Sequence, residues 1–277
     1  MPIHDTWPSG FKTELDITLV SQQTSLWLAW TDLATKRVFL AQCQAPSGRD
    51  RFDWKIVAKF GGTNVLTGPA IMGSLLYRAS EVVLAFGISN QIIVGSWGFT
   101  SPYEEVPLQE STAQRPALAW WDNRLWLAWT GGDKRLNTLN AVSHLDFGDK
   151  RTYDDSAWGA PGLASDNNIL AIGWTGTNEA HTVNVGQIQL GADEVRNKIE
   201  FKEYSAETGV SMAGYTMIEA MWAERDTTSI CSLQHPWDKP SFYEDTVPSQ
   251  VVPSCTTNNY IAYVQDDEIW VGRTNPR

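Results

Sequence analysis

The chain has 277 residues, enough for one large all-β domain or two average domains, with a core that needs neither disulfides nor metals. Hydrophobic residues make up 42% and charged residues 19%, a globular balance that excludes a disordered chain. The formal net charge of −11 repels phosphate backbones and anionic lipid surfaces, and the longest basic clusters, at 133–135 and 149–151, each open with an Asp; nucleic acid and membrane are not expected as partners.

The first eight residues carry neither a basic nor an apolar stretch, and no run approaches the length of a membrane span. A cytoplasmic or leaderless secreted protein is the expectation. Phe11-Lys12-Thr13-Glu14 reads as a short polar strand, similar to Phe201-Lys202-Glu203-Tyr204 much later in the chain.

The phrase Leu-Trp-Leu-Ala-Trp-Thr then stands at 26–31 and returns at 125–130, with weaker copies at 83–87, 170–175, 219–223 and 260–264. Aligned on the last aromatic, the copies place Trp30, Phe86, Trp129, Trp174, Trp222 and Tyr263 at intervals of 41 to 56 residues. A small residue precedes that aromatic in five copies, which suits a strand squeezed between neighbouring sheets.

Most copies follow a short strand opening at Pro69, Pro116, Pro161 or Pro253; proline is tolerated there because its missing N–H falls outside the ladder. After each copy comes a polar turn and a third strand, at 38–42, 92–96, 136–142, 182–188, 229–233 and 268–272. A fourth, more polar strand follows at 54–58, 103–106, 151–154, 200–204 and 242–245, and the sixth copy lacks one.

Four antiparallel strands in some 45 residues is the size of a propeller blade. The pattern predicts an all-β, six-bladed β-propeller in one domain. Its blades lie near 16–60, 66–108, 113–156, 158–205, 209–246 and 250–277, the last completed by the N-terminal strand at 10–15. Such closure also hides sheet edges.

The segments Arg-Pro-Ala-Leu-Ala (115–119) and Arg-Leu-Trp-Leu-Ala-Trp-Thr-Gly (124–131) resemble repeats of sialidase-like propellers and of bacterial or fungal propeller lectins. The resemblance implies architecture, and a lectin-like activity as an expectation. The Ser-x-Asp-x-Gly-x-Thr-Trp box of sialidases does not occur, and the arginine, glutamate and tryptophan set of fucose-binding lectins is not repeated at one register.

In a propeller, the turns after the second strands and the connections between blades emerge on one face, around the channel mouth. Those turns carry Asp32, Asp133, Glu179, His181, Glu224, Arg225, Asp226, Asp266 and Asp267; the connections carry Arg115, Trp158 and Ser211. The simpler reading of these carboxylates is as solvated turn caps; the functional one is that, beside rings, they grip sugar hydroxyls. The expected ligand set for a carbohydrate-binding propeller is Trp30, Asp32, Trp129, Asp133, Trp158, Trp174, Glu179 and Trp222. Alternation along the strands first places the aligned aromatics in a core against the adjacent blade, with ligand stacking at the strand ends as the functional reading.

A single catalytic site at the mouth is the alternative, for glycoside cleavage, cyclisation or isomerisation. It would draw on Arg115, His181, Glu224, Arg225 and Asp226. A protein-interaction scaffold is the third reading. His144, His181 and His235 have no metal-ligand spacing, and no phosphate loop or nucleophile motif occurs, so no metal and no cofactor is expected. Cys43, Cys231 and Cys255 read as buried, reduced thiols.

Overall fold

The computed structural model describes residues 3–22, 24–44, 51–73, 81–98, 104–143, 145–166, 168–214, 217–225, 227, 229–237, 241–243, 252–256 and 260–274. Among these residues every regular element is a β-strand. Tyr103, His144, Asp226 and residues 244–245 lie outside the described residues.

The chain opens with β1 (Ile3–Lys12). Blade one is β2 (Thr18–Gln22), β3 (Ser25–Thr31), β4 (Val38–Gln44) and β5 (Lys55–Phe60). Blade two is β6 (Ala70–Gly73), β7 (Glu81–Ile88), β8 (Gln91–Gly98) and β9 (Glu104–Ser111). Blade three is β10 (Ala117–Trp121), β11 (Arg124–Thr130), β12 (Arg135–Ala141) and β13 (Phe147–Ser156). Blade four is β14 (Gly162–Ser165), β15 (Leu170–Thr175), β16 (Thr182–Ile188) and β17 (Arg196–Ser205). Blade five is β18 (Ser211–Gly214), β19 (Ile218–Ala223), β20 (Ile230–Gln234) and β21 (Ser241–Tyr243). Blade six is β22 (Ser254–Cys255), β23 (Tyr260–Gln265) and β24 (Glu268–Thr274), with β1 paired antiparallel to β24 as its outer strand.

The protein is a six-bladed β-propeller closed by its N-terminal strand. That strand begins earlier than the polar segment at 11–14 suggests: pairing runs from Ile3 to Lys12, through two register shifts. The inner strands begin one residue after the prolines, at Ala70, Ala117, Gly162 and Ser254, because the ladder starts where an N–H is next available.

Tight turns set the hairpins. Asp122-Asn123, Ser89-Asn90 and Asp266-Asp267 each hold two successive positive φ angles, the geometry that matches strand twist in two-residue hairpins.

The core lies between blades. Alternation along β3 sends Leu26, Leu28 and Trp30 toward blade six and Trp27 and Ala29 toward blade two. In β11, Leu125, Leu127 and Trp129 face blade two, while Trp126 and Ala128 face blade four. All six aligned aromatics pack toward the preceding blade. Trp30 seals the closure, stacking on Phe11 of β1 with ring centroids 4.2 Å apart. Outside it, Trp7, Phe52, Trp54 and Tyr260 form a chain of ring contacts across the seam between blades six and one.

The threonine of the Trp-Thr phrase also has a structural task. Thr31 Oγ1 donates to the Thr67 carbonyl and Thr130 Oγ1 to the Gly159 carbonyl, each tying a second strand to its blade's outgoing connection.

Candidate functional site

Five of the six connections between blades, as far as the described residues show, use the same backbone slots. The N–H groups of Thr13, Val65, Thr112, Ala157 and Ala206 donate to the carbonyls of Asp267, Lys36, Asn90, Lys134 and His181. All five acceptor residues have positive φ and end the turn before a third strand. The next residue in the connection points to the rim; these are Glu14, Leu66, Ala113, Trp158 and Glu207. Leu66, Trp158 and Glu207 each donate their N–H to the end of the following blade's second strand, at Gly87, Thr175 and Ala223. The backbone of this ring is therefore fixed by the fold, while its side chains vary freely.

One or two residues further on, neighbouring connections pack against each other. Gly68 and Gly159 are required there by close approach: a Cβ on Gly68 would stand 2.0 Å from the Asp16 carbonyl oxygen, and one on Gly159 1.6 Å from that of Thr208. Arg115, with its side chain 5% exposed, reaches from blade three's connection to Asp16 at 3.7 Å and to Thr18 Oγ1 at 3.3 Å. The other Asp16 oxygen accepts the Val252 N–H at 2.8 Å. Burial raises the Asp16 carboxyl above its ordinary range, against the pull of Arg115 and of that N–H, and lowers Arg115 in the same way. Arg115 and Asp16 join connections two blades apart, so their buried ion pair crosses the channel and acts as a stopper there.

Beside that stopper lies a pocket of about 360 Å³, lined by Asp16, Gln114, Lys134, Trp158, Gly159, Ala160, Glu207 and Thr208. Trp158 is 43% exposed. The imidazole of His181 stacks on its indole, and the Lys134 ammonium lies 4.9 Å from the ring centroid. Arg225 borders the same corner, 3.6 Å from the Glu207 carboxylate and donating to the Glu179 carbonyl at 2.8 Å. Burial, reinforced by Arg225 and Lys134 and opposed by Glu207, pushes the His181 imidazole below its ordinary value. Thr208 Oγ1 and His181 Nδ1 are buried without hydrogen-bond partners among the described residues.

Of the residues expected from sequence, the fold brings Trp158, His181, Glu179 and Arg225 together. It separates the others. Trp30, Trp129, Trp174 and Trp222 are at most 2% exposed, because strand alternation turns their rings into the seams between blades; no ligand face reaches them in this conformation. Asp32 accepts from the N–H and hydroxyl of Thr35, and Asp133 from the Arg135 N–H, so both cap their own turns.

Glu224 clips blade five to blade four. One oxygen accepts from the N–H and hydroxyl of Ser205, the other from Trp222 Nε1 at 2.8 Å. Arg115 pairs with Asp16, Glu224 is engaged by Ser205 and Trp222, and Asp226 lies outside the described residues. Gln114, Lys134, Glu207 and Thr208 are pocket residues that the sequence reading did not select. Among the described residues no three His, Cys, Asp or Glu side chains gather in a metal-like cluster. No described helix is long and apolar enough to cross a membrane. The three cysteines are buried and free, and burial pushes the Cys43 thiol up to about 12.

No family model matches the chain, and no curated protein sequence matches it. Solved structures do. A lectin of Aleuria aurantia in complex with Fucα1-6GlcNAc superposes with a TM-score of 0.65 at 11% identity, over 97% of this chain and 98% of that one. The chain shares the fold of propeller lectins. The SapL1 lectin in complex with α-methyl fucoside gives a TM-score of 0.57 at 11% identity, over 94% and 96% of the two chains. A luciferin-regenerating enzyme gives 0.56 at 10% identity, over 97% and 95%. At such identities the propeller-lectin likeness is one of architecture, and the same architecture also carries an enzyme.

Proposed function

We propose that the protein is a carbohydrate-binding propeller with its site in the Trp158 pocket. The observation that carries this reading is an exposed indole in a rim slot that the fold does not require to be aromatic. The equivalent slots hold Glu14, Leu66, Ala113 and Glu207 and make the same backbone bonds at Leu66 and Glu207. A Trp kept at 43% exposure beside a pocket leaves ring surface that its packing against His181 does not cover.

The surroundings suit a sugar. A ring wall meets the apolar C–H face, while Gln114, Lys134, Glu207 and the unpaired Thr208 hydroxyl offer donors and acceptors to its hydroxyls. The volume lies within the about 300–1,000 Å³ usual for small-ligand sites. Since the described slots contain one aromatic, this site supports about one sugar per chain rather than a ring of identical sites.

The test is a glycan array probed with the intact protein, followed by calorimetric titration of the strongest ligand. Binding that Trp158→Ala weakens by about tenfold or more supports the site. An array without glycan binding, or ligand affinity unchanged in that variant, overturns it.

A further inference from the structure

The charges around the pocket are unevenly matched. Each acid that lines it already has a cation: Asp16 faces Arg115 at 3.7 Å, and Glu207 faces Arg225 at 3.6 Å. The Arg225 guanidinium is further engaged by the Glu179 carbonyl. Lys134 has no such partner. Its ammonium rests near the Trp158 ring and forms no ion pair among the described residues. In a chain of net charge −11, a lining lysine without an acid leaves one local positive charge beside the ring wall.

Backbone geometry holds that charge in place. Lys134 has φ 66 and ends its turn, with its N–H donating to the Gly131 carbonyl and its carbonyl accepting from Ala157. Its side chain therefore leaves a fixed point hydrogen-bonded to Ala157, the residue just before Trp158. His181, on the adjacent blade four, is disfavoured as a cation by its burial and by Arg225 and Lys134, so it supplies a ring rather than a second charge.

Building on the sugar-binding reading of this pocket, we infer that its ligand is an acidic sugar, a uronate- or sialate-type residue. The ligand's carboxylate pairs with Lys134 while its ring lies against Trp158. A neutral sugar leaves the ammonium to water; a carboxylate gains a charge-assisted hydrogen bond next to an apolar wall, where screening is weaker than in open solvent.

The experiment uses an array of matched pairs, glycans ending in a uronate or sialate and their neutral parents. It is read with the wild-type chain, Lys134→Gln and Trp158→Ala, each first checked for an unchanged thermal midpoint. The expected result is a preference for the acidic member of roughly ten- to a hundredfold. That preference disappears in Lys134→Gln and weakens from 0.15 to 0.5 M salt, on the order of the screening change over that range. Equal binding of both members, or an acidic preference that survives Lys134→Gln, overturns the inference while leaving a Trp158-dependent neutral-sugar site intact. Absence of binding to any glycan overturns it together with the carbohydrate reading.

Discussion

His181 and Trp158 stack across the junction of blades three and four, ring centroids 4.4 Å apart and planes 24° from parallel. The contact puts a titratable ring against the pocket wall, with Arg225, Lys134 and Glu207 around it. Because the folded state lowers the imidazole's pKa below 6.5, the unfolded chain takes up its proton first as pH falls. The His181 contribution to stability is therefore present above about pH 6.5 and fades as pH drops through the folded value. Partial exposure keeps it small. Its Cε1 proton, assigned by its loss in His181→Gln, is expected to titrate below the free-histidine range in the NMR spectrum. A midpoint at or above that range contradicts the burial and charge argument.

Two tryptophans are expected to separate stability from binding. Trp129 is 1% exposed in the seam between blades two and three, so Trp129→Ala opens a cavity and costs about 3–5 kcal/mol. Trp158→Ala removes a half-exposed ring and leaves the backbone bond of its N–H to Thr175 in place. Its effect on the unfolding free energy is expected within about 0.5 kcal/mol of zero, with glycan affinity lost. Urea unfolding of both variants beside their ligand titrations checks the pair. A large destabilisation by Trp158→Ala would mean that the ring is a packing element.

That contrast also marks how far the sequence was readable. The repeat exposed the blades because strand alternation and the small residue beside each aromatic are local properties: Leu28, Ala29 and Trp30 declare two faces without any knowledge of neighbours. How deeply each face is buried depends on the adjacent blade, so the sequence left the sealed Trp30, Trp129, Trp174 and Trp222 in one expected ligand set with the exposed Trp158. The pocket was partly legible through its turn and connection residues, Trp158, His181, Glu179 and Arg225. Gln114, Lys134, Glu207 and Thr208 were not, since they meet only when distant connections are drawn around the ring. One signal was available: Trp158 and Glu207 each stand one residue after a small buried anchor, Ala157 and Ala206. Counting from those anchors, rather than from the strand aromatics, gives the rim register.

Glu224 provides a test of structure against chemistry. Its carboxylate accepts from Ser205 of blade four and from Trp222 of its own blade. Glu224→Ala strands the Trp222 indole N–H and the Ser205 N–H, at roughly 1–3 kcal/mol for each group left buried and unpaired. Calorimetry is expected to show a lowered thermal midpoint, while glycan affinity of the folded protein is unchanged. A variant with a wild-type midpoint and lost function would instead place Glu224 in the functional machinery.

The ion pair at the channel mouth gives the sharpest energetic prediction. Arg115 and Asp16 come from connections two blades apart, and Asp16 also holds the Val252 N–H of blade six. Arg115→Met leaves the Asp16 carboxylate buried without its cation, which costs about 3–5 kcal/mol. Adding Asp16→Asn removes the orphaned charge and keeps an acceptor for Val252, so the double variant is expected to recover much of that loss. The sign of the coupling decides the role. If the two single losses simply add, the residues do not act as a pair and the mouth is held by the backbone packing around Gly68 and Gly159. If the second substitution restores stability, the pair is the stopper, and its removal from both sides leaves a closed ring with an uncharged plug.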